Sequence, residues 1–147
     1  MKHPDEKTMR ALIAYTKKNS KGKDNSSGCL IVKGDKILSR GISRVGIEKD
    51  PTSHGEMNAV RKICRKQKNY HLHGCWVYST QIPCPMCTSV IVWAEAKGIV
   101  WGWDGRHTWG KLNIDPETIL KTAKGKIEIF GHFLEEECLK IKGNNKF

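Results

Sequence analysis

The apolar positions change their period along the chain, and the changes predict its elements. Over residues 5–19, Met9, Leu12, Ile13 and Thr16 recur three or four apart, which gives a helix one inward face; Pro4 suits its first turn. Residues 20–27 are polar and contain glycine, so they read as a loop. Gly28–Lys33 is a short apolar run with β-branched residues, Gly34 and Asp35 signal a turn, and Lys36–Ile42 follows as a second strand; together they predict a hairpin. After a loop over 46–51, a helix is expected from Thr52 or Ser53, either of which can cap it, to about residue 69. Its inner stripe would be Met57, Val60, Ile63 and Cys64, with Arg61, Lys62, Arg65 and Lys66 outward. A third strand follows over 74–80, then a helix from Pro83 to residue 94 or 96, and a fourth strand, Gly98–Trp103. A helix over 116–124, a strand over 126–130 and a helix over 133–141 complete the pattern. No internal repeat or low-complexity linker interrupts it. The order α-β-β-α-β-α-β-α-β-α implies one sheet covered on both faces, an α/β protein built as a three-layer α/β/α sandwich.

Composition agrees with a folded domain. A chain of 147 residues reads as one domain over 1–147 that buries roughly two-thirds of its unfolded surface, and a hydrophobic content of 38% with five tryptophans supplies a core. No run of 18 apolar residues occurs, and Met1-Lys2-His3-Pro4-Asp5-Glu6 lacks a secretory pattern, so a soluble, cytoplasmic protein without a membrane partner is expected. Six cysteines in such a chain point to thiols and a metal site rather than disulfides. Cys29, Cys64, Cys75 and Cys138 stand singly among apolar or helical residues and read as small core residues. The net charge of +11, from 26 Lys and Arg against 15 Asp and Glu, favours a polyanion such as RNA as partner. The excess is lysine-rich and scattered, however, as a solvated surface is, and charge alone does not set the substrate.

Two short stretches carry chemistry. Pro51-Thr52-Ser53-His54-Gly55-Glu56 and Pro83-Cys84-Pro85-Met86-Cys87 bring together one histidine and two cysteines, the ligand types zinc prefers, with a carboxylate two residues from the histidine. Structural zinc centres fill four positions with protein, whereas catalytic ones leave one for water; three strong ligands plus Glu56 therefore suggest metal-activated water with its own proton carrier. Cys84 and Cys87, three apart, share a helix face in the first turn, where the dipole favours thiolate. Residues two apart on a regular helix point about 200° away from each other, so His54 and Glu56 can serve one site only if His54 sits at the very start of its helix. Gly55 relieves crowding there and leaves a backbone N–H open to a ligand. The combination of His54-x-Glu56 with Pro83-Cys84-x-x-Cys87 resembles the signature of the zinc nucleobase deaminases, and that resemblance implies hydrolytic deamination, with Glu56 moving a proton from water to a ring nitrogen and then to the departing amine. A structural zinc module that binds RNA is the competing reading; it requires a fourth protein ligand, Cys64 or Cys75.

The chain resembles the cytidine-deaminase-like superfamily over nearly its whole length. Gly28-Cys29-Leu30-Ile31-Val32, Asp50-Pro51-Thr52-Ser53-His54-Gly55-Glu56, Cys84-Pro85-Met86-Cys87-Thr88 and Val92-Trp93-Ala94 carry the likeness. The nearest look is to deaminases of free bases, the guanine and fungal-type cytosine deaminases. The resemblance implies zinc held by His54, Cys84 and Cys87, Glu56 as proton shuttle, a mixed five-stranded sheet and a homodimer. It also implies that the substrate is a small heterocyclic amine, guanine- or cytosine-like; a tRNA adenosine-to-inosine deaminase is the alternative. Where such relatives carry a base-binding asparagine after the second strand, this chain has Ser43, and Ile82 replaces a glutamate often found before Pro-Cys. The tail offers no acidic group, only Phe147 as a lid. In the segment after the fourth strand, Trp109 is expected to stack on the ring, and His107 or Arg106 to meet a phosphate or an exocyclic oxygen.

Overall fold

A computed structural model describes residues 1–20, 27–110, 114–123 and 125–141. Helix α1 (Glu6–Asn19) is capped by Asp5, whose side chain accepts from the Thr8 N–H at 2.8 Å, and it buries Met9, Leu12, Ile13 and Thr16 as the periodicity requires. The hairpin of β1 (Gly28–Lys33) and β2 (Lys36–Ile42) turns at Gly34, whose φ of +61° is the left-handed conformation glycine tolerates. A one-turn helix α2 (Val45–Glu48) and helix α3 (Gly55–Gln67) follow, then β3 (Trp76–Gln81), α4 (Pro85–Trp93) and β4 (Gly98–Trp103). A 3-10 turn over Arg106–Thr108, α5 (Pro116–Thr122), β5 (Glu128–Phe130) and α6 (Glu135–Ile141) close the chain.

The strands lie in the order β2-β1-β3-β4-β5, with β1 antiparallel to both neighbours and β3, β4 and β5 parallel. This is the expected mixed, five-stranded sheet with helices on both faces. The twofold alternation of each strand splits its side chains between two cores. Cys29, Ile31, Val77 and Ile99 pack under α3 and α4, while Leu30, Val32, Trp76, Tyr78 and Val100 pack under α1 and α6. Cys29, Cys75 and Cys138 are buried, as small core residues should be, and Cys64 is half-buried. No helix among the described residues is long and apolar enough to cross a membrane.

The differences from the expected boundaries have local causes. Helix α3 starts at Gly55 rather than Thr52 or Ser53 because both hydroxyls are used in the preceding loop. Thr52 donates from its N–H and Oγ1 to Asp50 Oδ1, each at 2.8 Å, and Ser53 Oγ donates to Glu48 at 2.6 Å. The inner stripe of α3 is Glu56, Ala59, Val60 and Ile63, with Met57 and Cys64 only half-buried. Arg61, expected to face outward, reaches back instead, donating to Thr52 Oγ1 at 2.9 Å and Asn58 Oδ1 at 3.1 Å. The loop expected over 46–51 contains α2, clipped by the Arg44–Glu48 ion pair at 2.9 Å.

Three glycines let the start of α3 lie directly on the hairpin. A Cβ on Gly55 would stand 3.3 Å from Gly28 Cα and from the Gly41 carbonyl oxygen; one on Gly41 would fall 2.1 Å from the Gly55 carbonyl oxygen and 2.6 Å from the Ala59 nitrogen. Beyond β4, Arg106 gathers the chain on the other side. Its guanidinium lies 2.9 Å from Asp104, 3.0 Å from Asp115 and 2.5 Å from Glu117. Burial pushes the Asp104 carboxyl up, but its hydrogen bonds from Arg106 outweigh that and hold it below its ordinary value; Glu117 is lowered chiefly by Arg106.

Two outcomes are expected. Because the clash in Gly41→Ala is with backbone, the hairpin and α3 must separate; urea unfolding should show a loss of about 1–3 kcal/mol, and zinc content per chain should fall with it. An unchanged midpoint with full zinc would show that the approach of β2 to α3 is not constrained there. Arg106→Gln should cost on the order of 1 kcal/mol at pH 7, a modest figure because the ion pairs are partly solvated. Depressed carboxyls contribute stability that is present above their unfolded pKa near 4 and lost as pH falls through the lower folded values. The gap between wild type and variant should therefore close below about pH 4, and a gap that persisted at pH 2 would count against the ion-pair account.

Candidate active site and metal centre

The site forms where α3 and α4 both begin. His54 is the N-cap of α3 with extended φ and ψ of −77° and 157°, and Cys84 is the N-cap of α4 at −64° and 169°. His54 is therefore not yet helical, and its ring turns to the same side as Glu56. Pro85 holds the first position of α4, where a missing N–H costs nothing, and Cys87 follows within that turn. The Thr88 N–H returns to the Cys84 carbonyl at 2.8 Å and its Oγ1 to the Pro83 carbonyl at 3.1 Å, fixing the Pro83–Thr88 turn from within.

The donor set fits zinc. His54 Nδ1 lies 3.5 Å from Cys84 Sγ and 3.5 Å from Cys87 Sγ. Tetrahedral bonds of about 2.3 Å to sulfur and about 2.0 Å to nitrogen place those atoms roughly 3.5 Å apart. His54, Cys84 and Cys87 thus stand ready to hold the ion. Neither Cys64 nor Cys75 belongs to this group of ligand atoms, so a closed, structural centre is not built among the described residues. The Cys84 thiol is lowered to about 4, chiefly by its hydrogen bond with Cys87 and, against burial, also by His54. Cys87 is pushed up first because its own thiol proton is engaged in the hydrogen bond to the Cys84 thiolate, and then by burial. The positive ends of two helices favour the thiolate form that a metal requires.

Glu56 stands beside this donor set and is only 4% exposed. Ser79 Oγ, in the middle of β3, donates to Glu56 Oε1 at 2.5 Å. Burial raises the Glu56 pKa above its ordinary value, with Ser79 and His54 opposing it. The carboxyl is thus oriented by a neutral hydroxyl, while burial outweighs the pull of Ser79 and His54 toward its charged form.

A cavity of about 410 Å³ opens onto these groups. Ser43, Gly55 and Trp109, read from the sequence as substrate contacts, line it. His107 does not line it; the ring is exposed on the 3-10 turn and faces Trp103 at 6.0 Å between centroids. Arg106 is held by carboxylates and is also outside the lining, while Phe147 lies outside the described residues. The lining adds Gln81, Thr108, Ser27 and Met86, and includes Ile82. Gln81 ends β3 one residue beyond the expected strand, and its amide forms no hydrogen bond within the described residues. The period of β3 could have singled out Ser79, since it shares a face with Val77, the face that α3 covers.

Known proteins place this architecture. A solved structure from a study of tRNA:A34 deaminases superposes with a TM-score of 0.75 at 18% identity, covering 92% of this chain and 99% of that one; this likeness concerns the fold. The guanine deaminase of Bacillus subtilis is 39% identical over 81 residues, which cover 55% of this chain and about half, 51%, of that protein. The tRNA-specific adenosine deaminase of Aquifex aeolicus is 36% identical over 124 residues, 80% of this chain and 82% of the relative. Residues 2–103, which contain both helix starts that carry the sulfur and nitrogen donors, match the cytidine and deoxycytidylate deaminase zinc-binding region, and the chain belongs to that family of zinc-dependent deaminases.

Proposed function

We propose that this deaminase acts on the exocyclic amine of a free, uncharged nucleobase or base-like heterocycle, guanine- or cytosine-like, and that Glu56 is its proton carrier. The carrying observation is the cavity itself. His54, Cys84 and Glu56 converge on a space with room for one heterocycle, lined by hydroxyls, the Gln81 amide and Trp109, and no lysine or arginine lines it among the described residues. Among the described lining residues a phosphate meets no lysine or arginine.

Zinc bound to His54, Cys84 and Cys87 supplies Lewis acidity that makes a water acidic enough to attack near neutral pH. Glu56 takes the proton of the attacking water and gives it to a ring nitrogen beside the amine-bearing carbon. It then carries the second water proton to the departing amine, so that the amine and water become a carbonyl and ammonia. A raised pKa suits a carboxyl that must both accept and return a proton. Ser79 orients it, Trp109 gives the ring a face to stack on, and Gln81 offers the donor and acceptor pair that Ser43 alone lacks.

A second reading, deamination of adenosine in tRNA, is favoured by the longer match to the Aquifex aeolicus relative and by the net charge of +11. We further propose that the active form is a homodimer in which a second copy covers the C-terminal turn of α4, where Trp93 is 78% exposed.

Ammonia release from guanine, cytosine, adenine, pterins, triazines, cytidine, adenosine and unmodified tRNA decides between the readings. Release from one free base is expected, with Glu56→Ala slower by about 10²–10⁴-fold and its zinc retained. Inosine formed only in tRNA would overturn the free-base reading, and full turnover in Glu56→Ala would remove the proton carrier. Trp93→Glu should run as a monomer on sizing where the wild-type chain runs as a dimer; a monomeric wild type would dismiss the assembly.

A further inference from the structure

A second group of metal-ligating side chains lies away from the cavity. His71 and His73 flank Leu72 in the segment that leads into β3, and Glu95 stands in the turn that leaves α4. Leu72 is 1% exposed and its N–H donates to the Ala94 carbonyl at 2.6 Å, so the two segments are pinned together beneath the cluster. From α3, the Gln67 amide donates to the carbonyls of Asn69 and His71 at 2.9 and 2.7 Å. The His71 N–H donates to Asn69 Oδ1 at 2.9 Å. The backbone under His71 is thereby set before any ligand arrives.

The side chains converge on a single oxygen. His71 Nδ1 is 3.2 Å from Glu95 Oε2, and His73 Nε2 hydrogen-bonds that same atom. The two imidazoles stack with centroids 4.6 Å apart and planes 16° from parallel. One ligand atom from each of the three residues lies within 4.8 Å of the others. Two further observations fit a cation at this position. His71 Nδ1 is buried yet has no hydrogen-bond partner, because its contact with Glu95 has the distance but not the direction of a hydrogen bond. Glu95 also has φ of +58°, in the left-handed position after a helix where glycine is the usual occupant, so a carboxylate is kept where its backbone is disfavoured.

We propose that His71, His73 and Glu95 form a second, surface site for a divalent transition metal, separate from the Cys84–Cys87 centre. Two imidazoles and one carboxylate suit zinc, cobalt, nickel or copper and not the hard cations calcium and magnesium. With three protein ligands, at least one position stays open to water or to a donor from another molecule. His73 and Glu95 keep 64% and 57% of their side-chain surface exposed, so the site should bind more weakly than the buried centre. Occupied, it fastens the turn after α4 to the lead-in of β3, and so braces the far end of the helix that begins at Cys84.

The test is titration of the zinc-loaded protein with Co²⁺. One equivalent per chain should bind, giving visible bands of nitrogen and oxygen ligation without sulfur-to-cobalt charge transfer. Glu95→Gln and His73→Ala should each weaken that equivalent more than about tenfold, since loss of even an outer partner of a metal site costs that much. Zinc at the Cys84–Cys87 centre should stay at one per chain in both variants. A charge-transfer band with release of zinc would show cobalt entering the cysteine centre instead. Binding unaffected by either variant would place the metal elsewhere, and no saturable binding at all would reduce the cluster to surface hydrogen bonds; each of these overturns the proposal. Because His73 is exposed, its variant remains informative if Glu95→Gln disturbs the turn.

Discussion

The structure depends on the close approach of the first turn of α3 to the β1–β2 hairpin. Gly28, Gly41 and Gly55 meet with gaps that leave no room for a side chain at Gly41. That contact sets where His54 and Glu56 begin. The other half of the site comes from a different element, since α4 leaves the C-terminal end of β3 and carries Cys84 and Cys87 in its opening turn. Because β1 and β3 are neighbours in the sheet, fixing α3 on the hairpin also fixes His54 relative to the sulfurs. A shift of one ångström would spoil two 3.5 Å separations together. The glycine contact is a packing feature, yet its consequence is coordination geometry.

The same convergence sets the electrostatics. Two helix N-termini meeting at one point favour thiolate on Cys84 and offset part of the charge two sulfurs take from a metal. Glu56 experiences the opposite influence, because it is buried and its pKa rises. Ser79 supplies an oriented hydroxyl whose hydrogen bond opposes that rise without cancelling it. The strong cation nearby in sequence, Arg106, is tied to three carboxylates on the outer side of the loop that carries Trp109. It is not among the residues that line the cavity.

Much of this was legible in the sequence because strong local signals agreed. The twofold and 3.6-fold periods placed β1, β2, β4 and α1 at their observed bounds or within a residue, and the ligand residues had spacings specific to one chemistry. His54 must precede regular helix because each helical residue turns 100°, and its φ and ψ are extended. What was hidden depended on side-chain contacts and short turns that follow no hydrophobic period. Arg106 looked like a ligand for phosphate because Asp115 and Glu117 lie nine and eleven residues away, beyond any local pattern. His107 looked like a pocket residue because the 3-10 turn that points it outward has no period to read. The Thr52 and Ser53 hydroxyls looked like helix caps because nothing nearby in sequence announces that Asp50 and Glu48 already hold them.

The polar groups of the cavity bear most directly on specificity. Ser43 occupies the place where an amide was expected, and a hydroxyl cannot present a donor and an acceptor side by side in the same plane. Gln81 can. It projects from the end of β3, two residues from Ser79 on the same face of the strand, with its amide unengaged among the described residues. A ring held by Gln81 would be gripped from the sheet rather than from the segment after β2, and so would enter rotated relative to one held from Ser43. Relative to Glu56 and the donor set, such a rotation would decide which carbon bearing an amine comes within reach of attack. The identity of the substrate would then follow from which edge of the heterocycle matches an amide at Gln81 while another edge faces Glu56.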